Sequence, residues 1–279
     1  MKKSIFVVSY FFILILSLSI ILIIKSSPAS SPDETISVFN KENTYYTIDL
    51  NGDHMKDIVL LSWDTTGADI VISTEDEIIS MSTLLNKKVQ SPFYIFFEDI
   101  TADNTPELII YDLSEKNKNI LYVYTHTQGV FKNILEEQCQ SFGLVKFTDS
   151  KKICITTEKD YYLFSPTANN TLTKSPFSSL SSILREDSYF QLIDIITDSN
   201  LYSKHKEGTF KKSTIPSSFM EDIAHENSTY LGGYFSIEID NETFEYSPTE
   251  WHSLFTKTDK QYLEYIFRID KDSISMVEK

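Results

Sequence analysis

Arginine is almost missing from this chain. Only Arg185 and Arg268 are present, so lysine carries nearly all of the positive charge, and few bidentate guanidinium clamps for phosphate or carboxylate ligands can form. Glycine is scarce as well, at 7 of 279 residues. Asn and Asp, in pairs such as Asn169-Asn170 and Asp240-Asn241, must therefore supply many of the turns. There are 2 cysteines, Cys139 and Cys154, on neighbouring expected segments. Outside the cytoplasm they are a candidate disulfide, the alternative being two separate semi-buried thiols. The 5 histidines (His54, His126, His205, His225 and His252) form no pair three or four residues apart, so no zinc site is expected. The chain has no Gly-x-Ser-x-Gly elbow, no glycine-rich phosphate loop and no His-Glu-x-x-His motif, and with them go the common signatures of hydrolases, nucleotide enzymes and metalloproteases. Glu136 and Glu137 are adjacent and would point apart on a strand, which makes a poor glycosidase pair. Trp63, Trp251 and the many tyrosines can stack on sugars, but more commonly fill the space between sheets.

What is abundant is negative charge and one long apolar run. The net charge is −15, and more negative once the lysines of the first 25 residues are set aside. That balance disfavours nucleic acid as a partner and disfavours flat adsorption to anionic lipid. It favours divalent cations or basic partners, although an acidic surface also serves solubility alone. Lys2 and Lys3 precede an apolar stretch from Ile5 to Ile24, closed by Lys25. About 20 apolar residues span a bilayer as a helix, whereas a cleaved signal has a core of about 7–15 and a small-residue cleavage site. Ser27-Pro28-Ala29 is a poor cleavage site, so 1–25 is expected to be an uncleaved anchor rather than a removed signal. The paired lysines place the N-terminus in the cytoplasm and the remainder outside. Residues 26–44, rich in Ser and Pro at their start, are expected to form a flexible stalk.

Two acidic loops organise the rest of the chain. The first is Asp49-Leu50-Asn51-Gly52-Asp53-His54-Met55-Lys56-Asp57, and the second, 50 residues later, is Asp99-Ile100-Thr101-Ala102-Asp103-Asn104-Thr105-Pro106-Glu107. Each presents oxygen side chains at positions one, three, five and nine and then launches an apolar strand. Alternate side chains of a tight loop converge, position seven offers a carbonyl (Met55 or Thr105), and the resulting oxygen shell suits Ca²⁺. An EF-hand would need a bidentate Glu at position twelve and helices on both flanks; position twelve is Leu60 or Ile110, and both flanks read as strands. The alternative is a pair of hairpin turns that Asp and Asn cap without any metal.

The loops resemble the FG-GAP (integrin-alpha-like, also called VCBS) repeat, in which a strand-leading loop reads Asp-x-Asn-Gly-Asp-Gly-x-x-Asp before Leu, Ile or Val. The first matches at Asp49, Asn51, Gly52, Asp53 and Asp57, with His54 in place of the second glycine. The second matches at Asp99, Asp103, Pro106 and Glu107, with Asn104 at that same strained position. His and Asn tolerate a left-handed backbone better than most residues. The resemblance implies β-propeller blades carrying calcium in their inter-strand loops, with Asp49, Asn51, Asp53, Met55 and Asp57, and Asp99, Thr101, Asp103, Thr105 and Glu107, as ligands.

An all-β fold of about four to five antiparallel sheet units is therefore expected after the anchor, with repeats over 45–198 and a degenerate repeat or capping module over 199–279. The first repeat would run from the Asp49 loop through strands at 57–64, 68–74, 77–81 and 93–98. The second would run from the Asp99 loop through 107–112, 120–126, 130–135 and 143–148. A third starts at Ile153 without a proper loop, since Lys151 and Lys152 stand where carboxylates should be, and a fourth is expected near Leu192. Strand starts at Ile58, Leu108, Ile153 and Ile195 keep a nearly steady period. In the tail, 204–212 reads as a basic, solvated hairpin, 230–239 and 243–246 as a hairpin across Asp240-Asn241, and 262–269 as either a closing helix or a strand.

These features lead us to expect a single-pass membrane protein whose extracytoplasmic part binds calcium and serves binding, adhesion or sensing toward a protein or glycan ligand, not catalysis. The alternatives are a propeller-scaffold enzyme acting on surface polysaccharide and a structural surface protein without a ligand.

Overall fold

In a computed structural model, the residues described are 34–38, 44–75, 77–113, 119–127, 129–148, 150–157, 160–177, 229–240, 249–256, 262–270 and 273–278. The expected anchor at 1–25, the fourth repeat start near Leu192, the basic patch at 204–212 and the 243–246 strand lie outside them. Among the described residues no helix is long and apolar enough to cross a membrane.

The fold is all-β, built from four consecutive antiparallel meanders. A separate strand, β1 (Glu34–Val38), comes first. Unit one is β2 (Thr44–Ile48), β3 (Asp57–Asp64), β4 (Gly67–Ser73) and β5 (Ile78–Ser80), followed by the one-turn helix α1 (Met81–Leu85). Unit two is β6 (Phe93–Glu98), β7 (Glu107–Asp112), β8 (Ile120–Thr127) and β9 (Val130–Gln138). Unit three is β10 (Ser141–Phe147), β11 (Lys151–Thr156), β12 (Tyr161–Pro166) and β13 (Leu172–Pro176), and unit four is β14 (Thr229–Ile239), β15 (Thr249–Thr256), β16 (Tyr262–Asp270) and β17 (Ser273–Glu278). The units form three sheets, none closed on itself. Unit one stands alone, β1 joins unit two beside β6, and units three and four fuse through a parallel pairing of β10 with β14.

Burial follows from the side-chain patterns. In β3, Val59 and Leu61 are buried while Ile58 and Leu60 face out, the alternation of a sheet covered on one face. The unbroken apolar runs of β6 and β7 are buried throughout, because unit two is the middle layer. Its Phe93, Ile95, Phe97, Leu108 and Ile110 pack against unit one. Its Tyr94, Phe96, Ile109 and Tyr111 pack against Phe142, Leu144, Ile153, Ile155, Tyr234 and Leu254 of the eight-stranded sheet. The far face of that sheet carries its own cluster, with Trp251, Phe235, Phe255, Tyr265 and Phe267 at its centre.

The structure corrects the expected organisation in two places and settles an open alternative in a third. Each unit begins one strand earlier than the period suggested: β6 is the first strand of unit two, paired with β7 in the register Glu98↔Glu107, so the loops lie inside units rather than between them. Glu34–Val38, assigned to the stalk, is instead a strand paired with β6. The 262–269 segment is strand, because Tyr265 and Phe267, two apart, both enter the core, and that is strand rather than helix periodicity.

Candidate metal loops

The first loop closes the β2–β3 hairpin and the second closes the β6–β7 hairpin, directly beyond the register pairs Ile48↔Asp57 and Glu98↔Glu107. Strand directions put both on one rim of the stacked sheets. They touch: a Cβ built on Gly52 would stand 2.9 Å from Thr105 Oγ1. The β12–β13 turn meets them from unit three, where Asn170 Nδ2 donates to Asp103 Oδ2 at 3.0 Å.

The two loops share one conformation. At position four Gly52 has φ +76° and Ala102 +59°; at position six His54 has +70° and Asn104 +68°. The strain expected at position six is thus present in both, and Ala102 adds one that its side chain did not advertise, since alanine enters the left-handed region only at a cost. Most of the hydrogen bonds correspond as well, except that Asp49 takes one bond from position four where Asp99 takes it from position five. The position-one carboxylates accept two backbone N–H groups each, Asp49 from Gly52 (2.7 Å) and His54 (2.9 Å), Asp99 from Asp103 (3.2 Å) and Asn104 (3.0 Å). The position-five carboxylates accept from position seven, Asp53 from Met55 (2.6 Å) and Asp103 from Thr105 (2.9 Å). The position-nine carboxylates reach back to position two, Asp57 to the Leu50 N–H (2.8 Å) and Glu107 to that of Ile100 (2.7 Å). The loops differ at position three. Asn51 bonds Asp53 through both ends of its amide, accepting its N–H at 3.0 Å and donating to Oδ2 at 2.9 Å. Thr101 instead turns its hydroxyl to Glu107 Oε1 at 2.9 Å.

Charge is distributed unevenly along each loop. Asp53 and Asp103 are exposed, Asp49 and Asp99 half-buried, Asp57 and Glu107 buried. Burial pushes the Asp57 carboxyl above the ordinary range, opposed by the Leu50 N–H and reinforced by the negative charges of Asp53 and Asp49. Burial likewise raises Glu107 against the N–H groups of Ile100 and Thr101. The Met55 N–H and the Asn51 amide hold Asp53 below it. Neither Asp57 nor Glu107 has a cationic partner among the described residues, whereas buried Glu98 and Asp112 have Lys151 (2.7 Å) and Lys87 (3.0 Å). The donor set is all oxygen, which suits a hard cation, and each carboxylate oxygen engaged by one N–H retains a lone pair for a metal. Two buried carboxylates with no lysine or arginine paired to them among the described residues fit that cation. Among the described residues, no three His, Cys, Asp or Glu side chains are already gathered at metal-binding distances; the carboxylates are turned to the loop's own N–H groups.

The other residues singled out fall elsewhere. Cys139 and Cys154 are buried thiols in different core clusters, so the candidate bridge is not formed. Trp63 packs at the edge of the first core near Phe93, and Trp251 stacks on Phe235 with centroids 4.6 Å apart. Glu136 and Glu137 lie next to each other on β9, and Glu137 pairs with Lys174. Missed in the sequence was the Lys151–Glu98 pair, whose only signal was lysine at a loop position that should be acidic. Also missed was a cluster in which Glu264 Oε1 accepts from Tyr94 Oη at 3.0 Å and meets His252 Nδ1 at 3.2 Å, with His252 stacked on Tyr234; those residues are distant in sequence and gave no motif. Comparison with models of known families finds no match to this chain, and comparison with curated proteins finds none either.

Proposed function

We propose that this is a membrane-anchored, extracytoplasmic β-repeat protein of FG-GAP type, with a structural calcium ion in each acidic loop and a binding role toward a protein or glycan. The observation that supports it best is the repetition of one loop conformation, with the same left-handed positions and mostly corresponding hydrogen bonds, 50 residues apart. In this view units one to three are blade-like repeats stacked face on face, and unit four closes the array. Asp49, Asn51, Asp53 and Asp57, with the Met55 carbonyl, would hold one ion; Asp99, Thr101, Asp103 and Glu107, with the Thr105 carbonyl, the other. The ion would supply the positive charge that no described lysine or arginine brings to the two buried carboxylates. It would tie the ends of adjacent hairpins and stabilise the fold by mass action, by about 2.7 kcal/mol per site at a hundredfold excess over Kd. The test is thermal melting of the detergent-solubilised chain with Ca²⁺ and with chelator. We expect a higher midpoint with Ca²⁺ and a smaller shift in Asp53→Ala. An identical midpoint in both buffers removes the calcium assignment.

A further inference from the structure

We propose that the outer face of unit one is the contact surface for a second copy of this chain, met face to face across a twofold axis. This requires neither the calcium ions nor the anchor proposed above. Unit two is covered on both faces, unit one on one face only. The alternation that buries Val59 and Leu61 turns Ile58 and Leu60 outward, and the strand register sets them in two cross-strand rows. One row is Tyr45, Leu60, Val71 and Ser80; the other is Thr47, Ile58, Ser73 and Ile78. Ile78 is 76% exposed, Tyr45 68%, Ile58 46% and Leu60 39%. The other exposed large apolar side chains among the described residues, Met55, Leu84, Val130 and Val277, are scattered over a loop, α1, β9 and β17. Single exposed apolar residues are ordinary, but a contiguous set on one sheet face marks a contact site.

Charge, symmetry and area favour a second copy as the occupant. The chain carries a net charge of −15, yet the centre of this face has no ionised group. The charges on its strands, Asp64 and Asp69, lie toward the β3–β4 turn and are engaged: Asp64 pairs with Lys88, and Asp69 accepts from Ser80 Oγ at 2.7 Å and the Ser82 N–H at 3.1 Å. Two acidic chains can therefore meet here without burying unpaired carboxylates. Among the described residues no other sheet face is both open and apolar, so a second copy has the same patch to offer, and the contact is isologous and closed at two. The inner face of unit one already receives Phe93, Ile95 and Phe97 of unit two in the same sheet-on-sheet manner. Four strands about 4.8 Å apart, over the length of β3 from Ile58 to Asp64, cover about 19 by 23 Å on each copy, or roughly 900 Å² for the two together. That lies near the lower bound for a specific interface, so the dimer is reversible.

The test measures the mass of the full chain in detergent by light scattering across a concentration series. The mass should double as concentration rises, and added salt should favour the dimer by screening two like-charged copies. Leu60→Lys sets two ammonium groups against each other inside the contact and should return the monomer mass at every concentration. Val130→Lys, which makes the same change of charge away from the face, should leave the dimer in place. Thermal melting checks that Leu60→Lys is folded; if it melts early, Thr47→Lys, at an exposed position of the same face, carries the test. Ser73→Cys lies near the centre of the patch, hence near the twofold axis, and a short bismaleimide should join two copies through it but not through Val130→Cys; the native thiols are buried. A monomer mass at every concentration overturns the proposal. So does a dimer that survives the lysine variants, because the copies then meet through another surface.

Discussion

Gly143→Ala should disrupt the junction between units three and four. Gly143 sits on β10 opposite Phe235 of β14 in the parallel register. A Cβ there would fall inside the van der Waals shell of Phe235 Cε2, Cζ and Cδ2. The ring has nowhere to retreat: it is fully buried and stacks on Trp251, itself buried, at an interplanar angle of 19°. One added methylene in a packed core costs about 1–3 kcal/mol, and an off-rotamer ring adds about 0.5–1.5 kcal/mol. A total near 3 kcal/mol lowers Tm by roughly 6–12 °C in a chain of this size. Tryptophan fluorescence is the natural readout, because Trp251 lies against the displaced ring. Phe235→Leu in the Gly143→Ala background makes room for the methyl, so the double variant should be more stable than the sum of the single losses by about 1 kcal/mol or more. A Gly143→Ala melt within about a degree of the parent, or strict additivity in the double variant, would refute the parallel seam.

Other expectations rest on the same packing. Asn119 Nδ2 donates to the Leu231 carbonyl at 2.7 Å and lies within reach of Tyr111 Oη and the Gln140 carbonyl. Asn119→Ala should cost about 1–3 kcal/mol, seen as a lower urea midpoint with an unchanged slope. Lys151→Met leaves the buried Glu98 carboxylate without its ammonium and should cost about 2–3 kcal/mol, below the fully buried range because Lys151 keeps some exposure; adding Glu98→Gln should restore part of it. Asp57 and Glu107 have raised values in the folded state. Their contribution to ion-free stability is therefore present below the ordinary carboxylate range and lost as pH rises through the raised values. A bound cation reverses their preference, so the Ca²⁺-induced Tm shift should shrink between about pH 7 and about pH 5 as protons compete for the same oxygens. A shift constant over that window would count against both carboxylates as ligands.

Local chemistry was legible where it was strong. β3, β6 and β7 begin and end where expected, because Asp- and Asn-rich loops bound them on one side and their apolar pattern defines the rest. The strain at His54 and Asn104 could be anticipated because a glycine-favoured position was filled by the next-best residues. Pairing was less legible. Nothing in Phe93-Tyr94-Ile95-Phe96-Phe97 says whether the strand closes unit one or opens unit two, since its side chains fill both cores. Glu34-Thr35-Ile36-Ser37-Val38 comes after a Ser- and Pro-rich stretch and looks like linker until β6 offers it an edge. In β15, Trp251, Ser253 and Phe255 share one alternation and are all buried, yet the polar Ser253 on that face and His252 beside it hid the strand. In the loops, the positions of the oxygens could be read from the sequence. The burial of Asp57 and Glu107 could not, because it arises from layers contributed by other units.

The β10–β14 seam also bears on how the molecule is assembled. Every other pairing within units two to four joins strands consecutive in the chain, and such hairpins can close as soon as both strands exist. Ser141 must instead find Gly233, long after unit three is complete, and loop-closure entropy makes contacts of that separation slow. Until then the bare edge of β10 offers unpaired N–H and C=O groups to any passing strand. During synthesis this is the interval in which the chain is most exposed to domain swapping or self-association.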